Sequence, residues 1–168
     1  MRSILKNIET ADINSLHWVG KRFNHKIWVY SATFLTRCGD WPTYVIILPL
    51  LLFLLNPTSL ELILQVYFLD LIIENSLYLI LKRSCKRNRP SDKLVEVNQL
   101  IHPPDKFSFP SGHTSSAIGI AYIMSYFFPQ FASAIIPFAC CVSLSRLILK
   151  VHFPTDIIAG SLLGIGAA

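Results

Sequence analysis

Charge is scarce in this sequence: Asp, Glu, Lys and Arg together make up 15% of it, against about 25% in an ordinary soluble domain. With 52% of residues hydrophobic, a fully solvated globular domain is excluded, because too little polar surface is left to cover it. Cysteine chemistry is missing too. No CxxC pair or Cys/His ligand spacing occurs, so Cys38, Cys85, Cys140 and Cys141 read as buried or incidental thiols and not as a disulfide framework or zinc site. Met1 to Lys26 lacks the apolar stretch of a cleavable leader, which leaves insertion to later segments. The basic residues give a net charge of +5, but they border apolar runs and form no solvated patch. Nucleic acid is therefore not expected as a partner.

What the sequence has in quantity is uncharged apolar runs. Residues 43–55 contain no charge, nor do residues 114–145, where Phe128-Pro129-Gln130 is the one polar interruption. Crossing a bilayer takes about 20 apolar residues, so the longer run reads as two helices joined by a tight turn. Spans are expected at about 42–55, 58–81, 112–128 and 130–150, with a fifth from Pro154; Thr58 or Ser59 is a candidate N-cap for the second. The fold class is thus all-α, an integral-membrane bundle of about five transmembrane helices forming one domain over 1–168. Residues 1–41 read as amphipathic helices lying in the membrane interface, and 42–168 as the core. The polar stretch 82–111 is the one long loop, and loops beyond about 12–15 residues are usually functional or disordered. In this layout all 15 Lys and Arg residues fall on one side of the membrane, so that side deals with negative charge.

Three segments on that side carry chemistry. The first is Lys82-Arg83-Ser84-Cys85-Lys86-Arg87-Asn88-Arg89-Pro90, the second Pro110-Ser111-Gly112-His113, and the third Ser145-Arg146 followed by His152 and Asp156. A phosphoryl group in transfer spreads negative charge over three oxygens, so the protein's work is positioning and charge stabilisation. Lys82, Arg89 and Arg146 supply three cations, two of them with the guanidinium fork that grips phosphate oxygens in pairs. Ser111, Gly112 and His113 fall at the start of an expected helix, where free backbone N–H groups favour anions, and Gly112 permits close approach.

In order and internal spacing these segments resemble the three signature motifs of the type 2 phosphatidic acid phosphatase family, over residues 82–156. The resemblance implies a lipid phosphatase that needs no metal and no cofactor. It further implies that His152 is a nucleophile forming a phosphohistidine, that Asp156 orients it, and that His113 serves as general acid and then base. Its substrate would be a phosphomonoester or diphosphate of a membrane lipid: phosphatidate, phosphatidylglycerophosphate or a polyprenyl diphosphate. Two alternatives stand beside it. One is a relative with the same pocket and different chemistry, as in soluble acid phosphatases and vanadate-dependent haloperoxidases, against which the apolar spans argue. The other is a catalytically inactive membrane protein.

Several residues have plainer readings. Lys82 could snorkel at the interface, and Asp156 could simply suit a helix N-terminus after Pro154. Arg83, Lys86, Arg87 and Lys93 are expected to attract anionic headgroups. Asp70 and Glu74 share a helix face inside the second span, where hydrogen bonding to a neighbouring helix is the favoured role and substrate contact the other. Sidedness is contested, because the positive-inside rule puts the basic side in the cytoplasm. The family resemblance implies the outer, periplasmic face of a bacterial inner membrane, and the motif cations are required by the chemistry whichever side they face. The sequence leaves the oligomeric state open.

Overall fold

The computed structural model describes residues 2–55, 58–94, 97, 100–103 and 105–168. Among these the secondary structure is entirely helical. Helix α1 (Arg2–Arg22) packs Leu16 beside Phe153 and Val97. Helix α2 (Lys26–Cys38) begins at His25, whose Nδ1 accepts a hydrogen bond from the Ile27 amide at 3.3 Å. A π-helical turn, Thr43–Ile47, leads into α3 (Leu48–Leu55). Helix α4 (Leu60–Cys85) has Ser59 at its N-cap position, although the serine side chain makes no capping bond. The short α5 (Pro90–Lys93) lies within the polar loop. Helices α6 (Gly112–Phe127) and α7 (Ala132–Ile148) are joined by a 3-10 turn at Pro129–Phe131, where the sequence placed a tight turn, and α8 (Pro154–Ala167) ends the chain.

Helix α6 is the centre of the bundle. Its apolar residues Ala117, Ile120, Ala121, Ile123 and Met124 meet Tyr44, Leu52, Ile63, Tyr67, Ala139 and Val142 from the surrounding helices. It lies along α7 on one side and α8 on another. The α6–α8 seam is closed by glycine: a Cβ at Gly160 would stand 2.6 Å from the carbonyl oxygen of Ser111, and one at Gly164 would collide with the Ser115 carbonyl. Small residues four apart let membrane helices approach at backbone distance, gaining dispersion contacts that lipid tails do not replace. This contact draws the start of α6 onto the start of α8, and the Ser111 amide donates to the Asp156 carbonyl at 3.1 Å. The proximity of the second and third motifs follows from it.

Large apolar side chains ring the outside: Ile46, Phe53, Leu54, Leu62, Leu69, Ile72, Ile80, Ile158 and Leu162 are all exposed. So wide an apolar exterior is the surface of a protein solvated by lipid. Two described helical stretches, Leu60–Lys93 and Pro129–Ile148, are long and apolar enough to cross a bilayer. A third span results if Lys26–Cys38 and Thr43–Leu54, bent by 49° at their junction, are counted together. The sequence predicts about five; α6, at 16 residues, falls just short of the usual crossing length, and α8 is apolar over its 14 residues. Helix α2 also differs from its expected interfacial role. It runs along α7, burying Ala32 and Thr36, and so belongs to the bundle.

Candidate active site

Lys82 sits near the polar end of α4, one turn beyond Tyr78. Its Nζ donates to the Tyr78 hydroxyl at 2.8 Å and to Asp105 Oδ2 at 2.8 Å. Tyr78 also donates to Asp105 Oδ2, at 2.5 Å. Arg89 is held by the loop around it: Nη1 donates to the Val151 carbonyl at 2.6 Å, Nε to the Asp105 carbonyl at 3.2 Å, and Nη2 to Asp105 Oδ1. One carboxylate thus bridges the two cations of the first motif. Burial alone would raise the pKa of Asp105, but hydrogen bonds from Lys82 and Tyr78 and the charges of Lys82 and Arg89 outweigh it, holding the group down at about 2. Lys82 does not snorkel; it is buried and paired.

Arg146 enters from α7. It is fully enclosed, donating from Nη1 to Thr36 of α2, while its Nε has no partner among the described residues. The turn after α7 then carries His152, also buried, to the start of α8. Burial pushes the His152 pKa down to about 3; the Asp156 carboxylate opposes this, and the Arg146 and Arg89 charges add to it. The imidazole is therefore neutral at neutral pH, the form that a nucleophile needs. His152 Nδ1 lies 3.7 Å from Asp156 Oδ2, beyond hydrogen-bond range. Asp156 Oδ2 instead accepts the Phe153 amide at 2.8 Å. The plain reading of Asp156 as a helix-start carboxylate is thus correct, and the same side chain stands beside His152.

His113, in the first turn of α6, has its Nε2 2.9 Å from Asp40 Oδ1. Ser111 is buried and accepts from the Thr114 hydroxyl at 3.0 Å. A Cβ on Gly112 would strike the Tyr78 ring at 2.9 Å, so the glycine also admits the aromatic that carries Lys82. Six of the eight expected residues, Lys82, Arg89, Gly112, His113, Arg146 and His152, line one cleft of about 110 Å³. The other two, Ser111 and Asp156, lie behind its wall.

Sequence reasoning missed the supporting carboxylates. Asp105, Asp40 and Asp12 fall outside the motifs, and no local spacing marks them. Arg87 requires a correction. It was expected to attract headgroups, but its guanidinium reaches Asp156 Oδ1 at 2.7 Å, Asp12 Oδ2 at 2.5 Å and the Thr155 hydroxyl at 2.6 Å. Asp12, from α1, further accepts the Thr155 amide at 3.0 Å. Lys93, by contrast, pairs with Glu9 on the exposed surface. Two carboxylates drawn out of water need such a partner more than a membrane surface does. No cluster of three or more potential metal-ligating side chains occurs among the described residues.

This arrangement defines an all-helical membrane protein with a cationic, histidine-lined cleft at one end of the bundle. Residues 63–168 match the model of the PAP2 superfamily, and the chain belongs to that superfamily. It is 37% identical over 83 residues to the decaprenylphosphoryl-5-phosphoribose phosphatase of Mycolicibacterium smegmatis, a stretch covering 48% of this chain and 43% of that protein. The chain thus spans less than half the length of this relative. Among solved structures, Aquifex aeolicus LpxE shares the fold with a TM-score of 0.81 at 24% identity, over 94% of this chain and 92% of that one. A transmembrane PAP2-type phosphatidylglycerolphosphate phosphatase from Bacillus subtilis superimposes with a TM-score of 0.74 at 25% identity, over 96% and 82%.

Proposed function

We propose that this protein is a metal-independent lipid phosphate phosphatase working through a phosphohistidine. The observation that carries the reading is the convergence of Lys82, Arg89, Arg146, His113 and His152 on one cleft of a membrane bundle. The names of its relatives, phosphatases of lipid-linked substrates, favour the same class.

In this mechanism the phosphate dianion binds among Lys82, Arg89 and Arg146, displacing the Asp105 carboxylate from at least one of its cations. His152 Nε2 attacks phosphorus and the bond to the leaving oxygen breaks, while His113, protonated once the phosphate dianion sits beside it, gives that oxygen a proton. Asp156 closes on Nδ1–H as positive charge develops on the ring; hydrogen bonds in such pairs often tighten only when substrate is bound. His113, now neutral, takes a proton from water, which attacks the phosphohistidine and releases inorganic phosphate. Asp40 orients the His113 ring. The nucleophile is a side chain, so the scheme calls for no metal-activated water.

Phosphate release from lipid phosphates by detergent-purified protein in EDTA tests the reading. Release should persist in EDTA and fall by about 10³-fold or more in His152→Ala. Loss with EDTA would remove metal independence, and unchanged release in the variant would remove the nucleophile. The active site is proposed to face the periplasm of a bacterial inner membrane. A tag at the exposed Lys106 of the 82–111 loop that reacts with an impermeant reagent in intact cells supports this placement; a tag that reacts only after lysis refutes it.

A further inference from the structure

The two oxygens of Asp156 serve different partners. Oδ2 accepts the Phe153 amide and stands 3.7 Å from His152 Nδ1. Oδ1 accepts from Arg87 Nη1 at 2.7 Å, and Arg87 is not among the residues that line the cleft. The guanidinium lies over the Phe153 ring, 4.4 Å from its centre. Its Nη1 also donates to the Thr155 hydroxyl at 2.6 Å, and its Nη2 to Asp12 Oδ2 at 2.5 Å. Asp12 closes the cluster by accepting the Thr155 amide at 3.0 Å and the Thr155 hydroxyl at 2.5 Å. Arg87 therefore clamps the first turn of α8 at Phe153, Thr155 and Asp156, and through Asp12 ties it to α1. Its own backbone is pinned, because the Ser108 amide donates to the Arg87 carbonyl at 2.8 Å.

Charge decides what such a cluster does for His152. Asp156 with Arg87 alone is a neutral pair, which has little left to stabilise an imidazolium. Asp12 restores a net negative charge behind His152, opposite the cations Lys82, Arg89 and Arg146 that line the cleft. The side chains of Asp12 and Asp156 are 2% and 0% exposed, so water does not take over the part of Arg87. Burial works against the guanidinium charge, but the Asp156 charge and the hydrogen bonds to Asp12 and Asp156 outweigh it and raise the Arg87 pKa. A guanidinium fork serves two carboxylates at once, which a lysine ammonium does less well. The remaining charges nearby, Glu9 and Lys93, pair with each other at the surface.

We propose that Arg87 and Asp12 are positioning residues of the phosphatase: Arg87 fixes Asp156 with Oδ2 towards His152, and Asp12 balances the Arg87 charge so that Asp156 can stabilise the imidazolium. This rests on the phosphatase reading and adds to it a helix, α1, outside the residues 63–168 that match the superfamily. Both residues act through Asp156.

The test follows phosphate release from phosphatidate, phosphatidylglycerophosphate and farnesyl diphosphate by the detergent-solubilised full chain, across the acid and neutral pH range. Each variant is assayed well below its own melting temperature. Hydrogen bonds to charged groups are worth about 10–100-fold. By that measure kcat should fall about 10–100-fold in Arg87→Gln and about tenfold in Asp12→Asn, with KM little changed. The acid limb of kcat should move up by about one pH unit or more in Arg87→Gln, because Asp156 and His152 both lose a neighbouring cation. Arg87→Lys keeps the charge and should hold the limb in place while recovering part of kcat. Asp12→Asn leaves a cation uncompensated and should not raise the limb. Glu9→Gln cuts another contact between α1 and the loop and should change neither kcat nor the limb.

An unmoved limb in Arg87→Gln overturns the assignment, as does a rise in KM without loss of kcat. A Glu9→Gln variant as slow as Asp12→Asn also overturns it, since α1 would then be a general brace. Hydrolysis of none of the three lipids, or hydrolysis surviving in His152→Ala, removes the phosphatase reading and the proposal with it. Should Arg87→Gln fail to fold, Arg87→Lys and Asp12→Asn set against Glu9→Gln carry the test.

Discussion

Two histidine–carboxylate pairs face the same cleft and are built in opposite ways. His152 and Asp156 are both almost wholly buried, four residues apart at the start of one helix, and Asp156 is further held by Arg87 and the Phe153 amide. His113 and Asp40 are 73 residues apart, and Asp40 is half exposed on the turn after α2. The first pair is fixed by local geometry and a dry surrounding; the second exists only because α2 packs beside the bundle. The contrast suits the proposed roles. A nucleophile must stay neutral and stationary, whereas an acid–base group must exchange protons with water and benefits from access to it.

The contrast can be broken most sharply at the carboxylates. Asp156→Asn should lower kcat by about 10²–10⁴-fold, as loss of an orienting carboxylate does in other histidine triads. Asp40→Asn should cost only about tenfold, because solvent can take over part of its role. Steady-state phosphate release checks both, and equal losses would mean that the two pairs are equivalent. A smaller effect is expected behind the first pair. Asp12→Ala leaves the Arg87 guanidinium without one of its carboxylates and the Thr155 amide unpaired. Breaking a buried ion pair costs about 3–5 kcal/mol; since Arg87 is partly exposed, a loss of about 2 kcal/mol is expected, read as a lower Tm in detergent. No change would mean that α1 does not brace the site.

The remaining prediction concerns pH. His152 titrates near 3 in the folded protein against about 6.5 when unfolded, so the unfolded state binds more protons between those values. Stability should therefore decline as pH falls from about 6.5 towards 3. Asp105, held at about 2 against about 3.8, adds a further loss that begins only below about pH 4. Thermal melts of His152→Asn should lessen the slope over the upper interval, and those of Asp105→Asn only that over the lower one. A melting temperature independent of pH from 7 to 4 would contradict the buried, neutral imidazole.

Legibility followed the range of the interaction. The apolar runs located most helices, since lipid-facing surface is written as uninterrupted hydrophobic sequence, and Phe128-Pro129-Gln130 marked a turn that the structure contains. The bent α2–α3 pair is half legible: its second arm is apolar, while its first carries Lys26 and Arg37 like an interfacial helix yet packs on α7. Asp70 and Glu74 were recognised as an intramembrane pair, but only the fold places Glu74 on the cleft and leaves Asp70 behind it. Arg87 was misread because a basic residue in a basic run carries no local mark of the carboxylates it will meet.

By itself, then, the sequence determined an all-helical membrane bundle, the eight motif positions and the adjacency of His152 with Asp156, because each depends on spacing within one segment. Tertiary structure alone decided that Asp40 meets His113, that Asp105 bridges Lys82 and Arg89, and that Asp12 and Arg87 stand behind Asp156. Those partners are set by where separate helices approach, and the approach depends on contacts such as the glycine seam between α6 and α8. Periodicity along a chain encodes which face of a helix is buried, and packing between helices then selects the charge that face meets.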